Sequence, residues 1–177
     1  RTNALESTYS KFAVELTNAT TKEMARKSIK DLYVKLEALY PAKDEFEKKF
    51  VEIRYSKKGS RTNLTAKYIV NLLQKYYEER EVEEDDGSIE HILSESSGKE
   101  ESLNIGNLIL LEGSLNKEAE TFEFSEKKVV YQKSRYKQVK QFCEDFVEWN
   151  EDGIKKRASQ CAALVYDSIL RRETKEK

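Results

Sequence analysis

The hydrophobic pattern of this chain changes at Gly87, and this change limits the folds that the sequence can adopt. On both sides of the change, apolar residues recur every three or four positions, which predicts amphipathic helices. The segments 88–93 and 108–111 are instead short and apolar, and the first has β-branched residues, so both are predicted to be strands. Gly113 and Ser114 end the second segment and favour a short helix after it. We therefore predict a mainly α-helical fold that encloses a small ββα unit.

Four apolar stripes before residue 80 each predict one amphipathic helix, and we expect these helices to pack together. Thr20 and Glu23 have the spacing of a capping box at the start of the second helix, and Pro41, the only proline, ends that helix. The stripes are Leu5, Tyr9, Phe12 and Leu16; Ala25, Ile29, Leu32, Leu36 and Leu39; Phe46, Phe50 and Ile53; and Leu64, Tyr68, Leu72, Leu73 and Tyr76.

Two further stripes follow residue 134. Asn150 is predicted to be the N-cap of the last helix, and Trp149 before it is predicted to be a packing anchor. The stripes are Tyr136, Val139, Cys143 and Phe146, and then Ile154, Ala158, Cys161, Val165 and Ile169.

The 177 residues suit one compact domain, and the scarcity of glycine and proline is typical of helix-rich soluble proteins. We predict an N-terminal helical region at 1–80, a core at 81–134 and C-terminal helices at 135–177 that pack on the core. The acidic segment 78–86 is predicted to be a solvated linker. Because the chain begins with Arg1 and not with methionine, we expect it to be a piece of a longer protein.

The charge balance excludes a strongly basic nucleic-acid coat, because 32 Lys and Arg face 33 Asp and Glu. Any binding of nucleic acid must come from local patches or from another domain. Two cysteines and one histidine cannot assemble a structural zinc site. The sequence has no signal peptide and no apolar run of membrane-spanning length, so we predict a cytoplasmic protein in which Cys143 and Cys161 are buried free thiols.

The only histidine, His91, follows Glu90 at the end of the first strand segment, and Asn107 and Asn116 come later in the chain. Cleavage of a phosphodiester needs an activated water and a cation that stabilises the developing negative charge. A neutral imidazole is a suitable base at physiological pH. Glu90 and Asn116 supply the oxygen ligands that Mg²⁺ and Mn²⁺ prefer. Adjacent strand residues point to opposite faces, so Glu90 and His91 can share a site only if the strand ends or twists there.

These motifs resemble the HNH nuclease domain at the C-terminus of GmrSD-type, modification-dependent restriction enzymes and of related phage-defence proteins. The resemblance is carried by Ile-Glu-His-Ile-Leu at 89–93, Asn-Ile-Gly-Asn-Leu-Ile-Leu-Leu at 104–111, and Asn116. The interval of nine positions from Asn107 to Asn116 also resembles the HNH domain of RNA-guided nucleases. The similarity extends from about residue 40 to the end of the chain.

The resemblance implies His91 as the general base and Glu90 with Asn116 as ligands of one Mg²⁺ or Mn²⁺ ion. Asn107 would hold the strand hairpin and the His91 ring in place. For Asn104 we expect only a supporting role, because its position before Ile105-Gly106 fits a loop in which the side chain bonds its own backbone. The resemblance also implies DNA as the substrate and a ParB-like nucleotide-hydrolysing domain or subunit upstream.

Two lysines after the site, Lys127 and Lys128, resemble a lysine pair of the family, and we predict that they contact DNA phosphates. Such contacts give affinity without sequence information, so the specificity for base sequence should be weak. Interspersed acids leave a solvated surface as the other interpretation of these lysines. It is also the other interpretation of a second basic group, Arg54, Lys57, Lys58 and Arg61.

The sequence departs from the family pattern at two places. Ser94 stands where many relatives have proline, and Ala119-Glu120-Thr121 replaces a turn that resembles Ala-Gly-Asn. The second departure concerns the helix that carries Asn116. The other interpretation of Asn116 itself is that its side chain caps the following helix. For Glu90 and His91 alone, the other interpretation is a structural ion pair.

The function that we predict is that of a metal-dependent DNA endonuclease or nickase from a restriction or anti-phage defence protein. A catalytically inactive helical docking module with an HNH remnant is the first alternative, and an RNase with the same site is the second. A homodimer that places two sites on opposite DNA strands is left open by the sequence.

Overall fold

The computed structural model describes residues 2–57, 63–78 and 87–170. In these ranges the chain is mainly helical, as predicted, and has one two-stranded antiparallel sheet. The helices are α1 (Thr2–Thr17), α2 (Lys22–Glu37), α3 (Lys43–Phe50), α4 (Asn63–Glu78), α5 (Gly113–Ala119), α6 (Phe124–Tyr131), α7 (Lys137–Asp145) and α8 (Glu151–Leu164). The strands are β1 (Gly87–His91) and β2 (Leu108–Glu112), with 3₁₀ turns between them at Glu95–Ser97, Glu100–Leu103 and Ile105–Asn107 and a π-helical turn at Val165–Leu170 after α8.

The chain forms two compact units, residues 1–42 and residues 43–177. In the first unit, α1 and α2 pack against each other, and α2 has no buried residue. The hydroxyl of Thr21 accepts a hydrogen bond of 3.2 Å from the backbone N–H of Met24, so Thr21 is the N-cap of α2. The predicted capping box between Thr20 and Glu23 is therefore wrong by one residue. The hydroxyl of Thr20 instead lies 3.5 Å from the sulfur of Met24.

The second unit contains the hairpin of β1 and β2, in which Glu90 pairs with Ile109 and His91 pairs with Leu108. The short helix α5 follows β2 directly and packs on both strands. The strands and the helix therefore occur in the order that the sequence predicts. Strand β2 is central to the core, since α4 and α7 pack on it and Ile109 and Leu111 are completely buried.

The predicted apolar face of α4 is only partly correct, because Leu73 is buried as predicted but the first residues of the stripe are not. Leu64 and Tyr68 are 70% and 66% exposed, whereas Ala66, Ile69 and Val70 are buried. Ala66 has no exposed surface, and its small side chain allows the neighbouring elements to approach the helix closely. The packing of α4 on α7 and β2 thus selects a face that the sequence stripe indicates only in part.

The C-terminal helices agree with the prediction. The stripe on and beside α7 is buried, and Asn150 caps α8 by accepting a hydrogen bond of 3.0 Å from the backbone N–H of Gly153. Trp149 packs against the rings of Phe142 and Phe146, with both centroid distances at 5.0 Å. The two cysteines are buried and free.

The close packing of α8 on the last 3₁₀ turn depends on Gly106. A Cβ atom at this position would lie 2.2 Å from the carbonyl oxygen of Ile154 and 2.9 Å from the Cβ atom of Ala158. Any side chain here would therefore push α8 away from the turn that leads into β2.

The predicted acidic linker and the predicted lack of a membrane-spanning segment concern residues that are described only in part. The predicted acidic linker begins with Glu78, which is the last residue of α4, and the rest of it lies outside the described residues. None of the described helices combines the length and the apolar composition that would be needed to cross a membrane.

Candidate active site

His91 is the last residue of β1, and its imidazole is buried with one nitrogen bonded to the backbone. Nε2 lies 3.2 Å from the carbonyl oxygen of Tyr55. Because a carbonyl can only accept a hydrogen bond, Nε2 carries the proton of the neutral ring, and Nδ1 carries the lone pair. Nδ1 is buried and has no hydrogen-bond partner among the described residues. The ring is therefore held with an acceptor atom that no described residue occupies, and a general base needs such an atom.

The surroundings of His91 favour its neutral form. Burial lowers the pKa of the imidazole below its ordinary value of 6.5, and the positive charge of Lys57 also lowers it. The carbonyl of Tyr55 and the carboxylates of Glu95 and Glu90 act in the opposite direction, with smaller effects than burial. Glu90 and His91 point to opposite faces of β1, but His91 is the last residue of the strand, so the strand ends there, as a shared site requires.

Glu95 is the carboxylate that lies next to Nε2 of His91. Its Oε2 lies 3.9 Å from Nε2 of His91, and the same oxygen accepts a hydrogen bond of 3.1 Å from the backbone N–H of Lys57. Its other oxygen accepts a hydrogen bond from the hydroxyl of Ser56. Burial acts to raise the pKa of Glu95, but these hydrogen bonds outweigh it, and the pKa is below its usual value. Glu95 is therefore a carboxylate that holds the segment before α4 against the histidine.

Glu90 points to the other face of β1, where its carboxylate is 2% exposed. Its Oε1 accepts hydrogen bonds from Nζ of Lys127 at 2.5 Å and from the hydroxyl of Tyr131 at 3.0 Å. Burial, and then the charge of Glu90, raise the pKa of Tyr131 well above its usual value, so the phenol stays a donor. The other oxygen of Glu90, Oε2, accepts no hydrogen bond from the described residues.

Asn116 approaches the same face of β1 from helix α5. Its amide nitrogen donates to Oγ of Ser88 at 2.9 Å, and Ser88 precedes Glu90 by two positions in the strand. Strand residues two positions apart share a face, so Asn116 and Glu90 lie on one side of the hairpin. The interpretation of Asn116 as a helix cap is wrong, because Glu112 is the N-cap of α5 and Glu123 is the N-cap of α6.

Asn107 is completely buried and fastens the chain where it leaves β1. Its amide nitrogen donates to the carbonyl oxygens of Leu93 at 2.8 Å and Ser102 at 2.7 Å. Its Oδ1 accepts hydrogen bonds from the backbone N–H of Leu93 at 2.7 Å and from the indole of Trp149 at 2.9 Å. These contacts fix the backbone two residues after His91; they do not touch the imidazole ring.

Asn104 and Arg157 support the turn that leads into β2. Oδ1 of Asn104 accepts from the backbone N–H of Gly106 at 2.8 Å, and its Nδ2 donates to the carbonyl of Val51 at 2.9 Å. The guanidinium of Arg157, which is 5% exposed, donates to the carbonyl oxygens of Gly106 at 2.7 Å and Leu108 at 2.8 Å. Both side chains satisfy buried backbone groups and do not face the His91 environment.

Neither lysine of the predicted phosphate pair has a free ammonium at the surface. Lys127 is completely buried, and its Nζ donates to Glu90 and to the carbonyl oxygen of His91 at 2.7 Å. Lys128 is half-buried, and its Nζ donates to the carbonyl of Phe146 at 2.8 Å. The complete burial of Lys127 is incompatible with direct contact between its ammonium and a DNA phosphate, whereas a phosphate contact of Lys128 stays a prediction. Lys57, which is exposed, is the lysine that influences the pKa of His91.

The sequence did not predict the contacts of three residues at the site, Tyr55, Lys127 and Glu95. Tyr55 acts through its backbone carbonyl, which has no signature in a side-chain pattern. Lys127 was recognised as a lysine of the site but not as the buried partner of Glu90. Glu95 is four positions after His91, and this spacing in a polar segment was the one available signal.

The sequence model of one protein family, described as the C-terminal domain of GmrSD restriction endonucleases, matches residues 40–164, which is more than two thirds of the chain. The chain belongs to this family. No curated protein and no solved structure matches it significantly. The matched range of this GmrSD C-terminal domain includes both strands, α5 and all residues of the site described above. The resemblance to the C-terminal domain of GmrSD-type enzymes is thereby confirmed, and it implies a function of the restriction-endonuclease type, with DNA as the substrate.

Proposed function

We propose that this GmrSD C-terminal domain is an HNH-type, metal-dependent DNA endonuclease or nickase in which His91 activates the attacking water. The observation that carries the proposal is the orientation of the imidazole. Nε2 is bonded to the Tyr55 carbonyl and Nδ1 is left without a partner among the described residues. A buried acceptor without a hydrogen bond is unfavourable for folding, and a catalytic role is one of the explanations for such an atom in a native structure.

The proposed cation site consists of Oε2 of Glu90 and Oδ1 of Asn116. Both atoms are oxygens on the same face of β1, and neither accepts a hydrogen bond from the described residues. Among these residues, no group of three or more His, Cys, Asp and Glu side chains could hold a metal ion. One carboxylate oxygen and one amide oxygen suit a single hard cation, Mg²⁺ or Mn²⁺, whose other ligands would be phosphate oxygens and water. When bound, such an ion stabilises negative charge on the phosphate and on the leaving oxygen.

The proton transfer is proposed to take place at Nδ1 of His91. This atom removes a proton from water, and the imidazole becomes positively charged. The Tyr55 carbonyl then accepts a hydrogen bond from a cationic donor, and the Glu95 carboxylate at 3.9 Å stabilises the new charge. Asn107 keeps the backbone next to His91 fixed during this step. The proposal extends to a role in restriction or phage defence with an upstream ParB-like domain, and its support there is the family resemblance.

The test is the conversion of supercoiled plasmid by the purified chain with Mg²⁺ or Mn²⁺. Open-circular or linear product should form with the parent chain and with Glu148→Ala, a change at an exposed position. The product should be absent with EDTA and with His91→Ala, whose fold is checked by circular dichroism. Cleavage by His91→Ala at the parent rate would refute the assignment of the base. A matched RNA that is cut faster than the DNA would favour the RNase alternative.

A further inference from the structure

The ion pair between Lys127 and Glu90 places a positive charge inside the proposed cation site. Lys127 has no exposed surface, and its Nζ has two acceptors, Oε1 of Glu90 at 2.5 Å and the carbonyl oxygen of His91 at 2.7 Å. Lysine is rarely buried completely unless it is paired, and a buried charge without a partner is strongly destabilising. The ammonium of Lys127 therefore links α6 to the last two residues of β1, Glu90 and His91, inside the folded core.

Lys127 determines which atom of Glu90 is available to a ligand. Lys127 and Tyr131 both donate to Oε1, so this oxygen is occupied on the side of α6. The oxygen that remains, Oε2, can bind a cation through one atom only. Lys127 thus fixes the direction of the carboxylate and limits it to monodentate coordination.

Lys127 also cancels the charge that Glu90 would offer to a cation. The carboxylate and the ammonium sum to zero, and the amide of Asn116 and the phenol of Tyr131 are neutral. Glu95 lies in the His91 environment on the other face of β1, and its oxygens are bonded to Ser56 and to the backbone of Lys57. A divalent cation that leaves water for a site without net negative charge loses hydration without a compensating attraction. The phosphates of DNA would supply the missing charge.

We propose that Lys127 is a positioning residue and a fixed countercharge for Glu90, which keeps cation binding weak without DNA and makes a DNA phosphate a required part of the cation site. The inference depends on the proposed function for the cation site at Glu90 and Asn116. Reciprocity follows from linkage: DNA raises the affinity for the cation, and the cation raises the affinity for DNA by the same factor.

The experiment measures Mn²⁺ binding by calorimetry and electron paramagnetic resonance, using the full chain with His91→Ala so that DNA is not cut. A short DNA duplex should increase the Mn²⁺ affinity of this chain about tenfold or more. With Lys127→Met added, Mn²⁺ affinity without DNA should rise about tenfold, and the effect of DNA should become smaller. Lys128→Met removes the same charge one position away and should leave Mn²⁺ affinity without DNA unchanged.

The Lys127→Met chain can fold poorly in the absence of metal, because its Glu90 lacks a buried partner. The melting temperature with and without Mn²⁺ is therefore a second measurement. In that case Mn²⁺ should raise the melting temperature of Lys127→Met strongly and that of Lys128→Met little, since the ion replaces the missing charge. Equal Mn²⁺ affinities and equal thermal shifts for the two variants would overturn the role of Lys127 and leave the cation site intact. Absence of Mn²⁺ binding in every chain, with and without DNA, would overturn the cation site itself and this inference with it.

Discussion

At the scale of single residues, the hydrogen bond to one nitrogen of His91 decides what the other nitrogen can do. The Tyr55 carbonyl holds Nε2 as a donor, so the basic atom is Nδ1. The same arrangement sets the charge of the ring, because burial lowers the pKa of His91 and keeps the imidazole neutral at physiological pH. The tautomer and the protonation state that a general base needs thus arise from the folded structure before substrate binds.

The pH dependence of DNA cleavage should show this lowered pKa. The base is active only when it is unprotonated, so the rate should rise with pH, reach half of its plateau below pH 6.5 and be constant near pH 7. Glu95→Gln removes a charge that favours the imidazolium, so it should move the midpoint to lower pH and reduce the plateau. The measurement is the initial rate of plasmid nicking from pH 5 to pH 8. A midpoint clearly above 6.5 would contradict the neutral, buried base.

Asn107→Ala should destabilise the fold strongly. The change leaves the backbone N–H and carbonyl of Leu93, the carbonyl of Ser102 and the indole of Trp149 without their partner. Unsatisfied buried groups cost about 1–3 kcal/mol each, so the four groups together lead us to expect a loss of about 4 kcal/mol or more in the free energy of unfolding. The measurement is urea denaturation.

Asn104→Ala is the matched control for this prediction, because the Asn104 side chain makes two hydrogen bonds to the backbone and is 8% exposed. Its loss should be about 1–2 kcal/mol. Equal losses for the two variants would show that Asn107 does not have the central position in this network that its four contacts indicate.

The residues of the site differ in how far the sequence could place them. Glu90, His91 and Asn107 were placed correctly on the hairpin, because they belong to short segments with clear strand or turn patterns. Lys127 was not, because a pair of adjacent lysines in a polar segment indicates a solvated surface. Its partner Glu90 is 37 positions away, and a contact over that separation has no local pattern.

At the scale of elements, the hairpin and α5 were predictable because short β-branched and apolar runs between turn residues specify strands. The buried face of α4 was predictable only in part, since Leu73 belongs to the predicted stripe and Ala66, Ile69 and Val70 do not. The sequence offers two apolar faces on this helix, and the choice between them is made by contacts with α7 and β2. The position of α8 depends in the same way on a contact distant in sequence, between Gly106 and the carbonyl of Ile154.

Gly106→Ala tests the approach of α8 to the turn before β2. The new Cβ would lie 2.2 Å from the Ile154 carbonyl oxygen, so α8 must move and buried contacts must be lost. We expect a loss of about 3 kcal/mol or more, similar to severe overpacking in a core. Gly153→Ala is the control, because its nearest neighbour would be the Trp149 ring at 3.3 Å and alanine favours helix. It should change stability by less than about 1 kcal/mol, and a larger loss than that of Gly106→Ala would contradict this description.

At the scale of the whole molecule, the site and the core belong to the second unit. The hydrophobic core contains Phe50 and residues after it, and the family match covers residues 40–164. The formal net charge is -1, so long-range attraction cannot bring DNA to the domain. We therefore expect local positive charge, such as that of exposed Lys57, to contribute to contact with the DNA backbone, and binding should weaken as salt is added.

Removal of residues 1–42 should therefore leave a chain that folds and cuts DNA like the parent. The described part of this unit contributes no residue to the hydrophobic core, and a loss below about 1 kcal/mol corresponds to a shift of only a few degrees in melting temperature. The isolated segment 1–42 should be mostly unfolded, because two helices of 16 residues without a buried core are marginal in water. Circular dichroism and plasmid nicking measure both expectations. A shortened chain that loses cooperative unfolding, or that keeps its fold but loses cleavage, would show that residues 1–42 take part in the folded core or in the reaction.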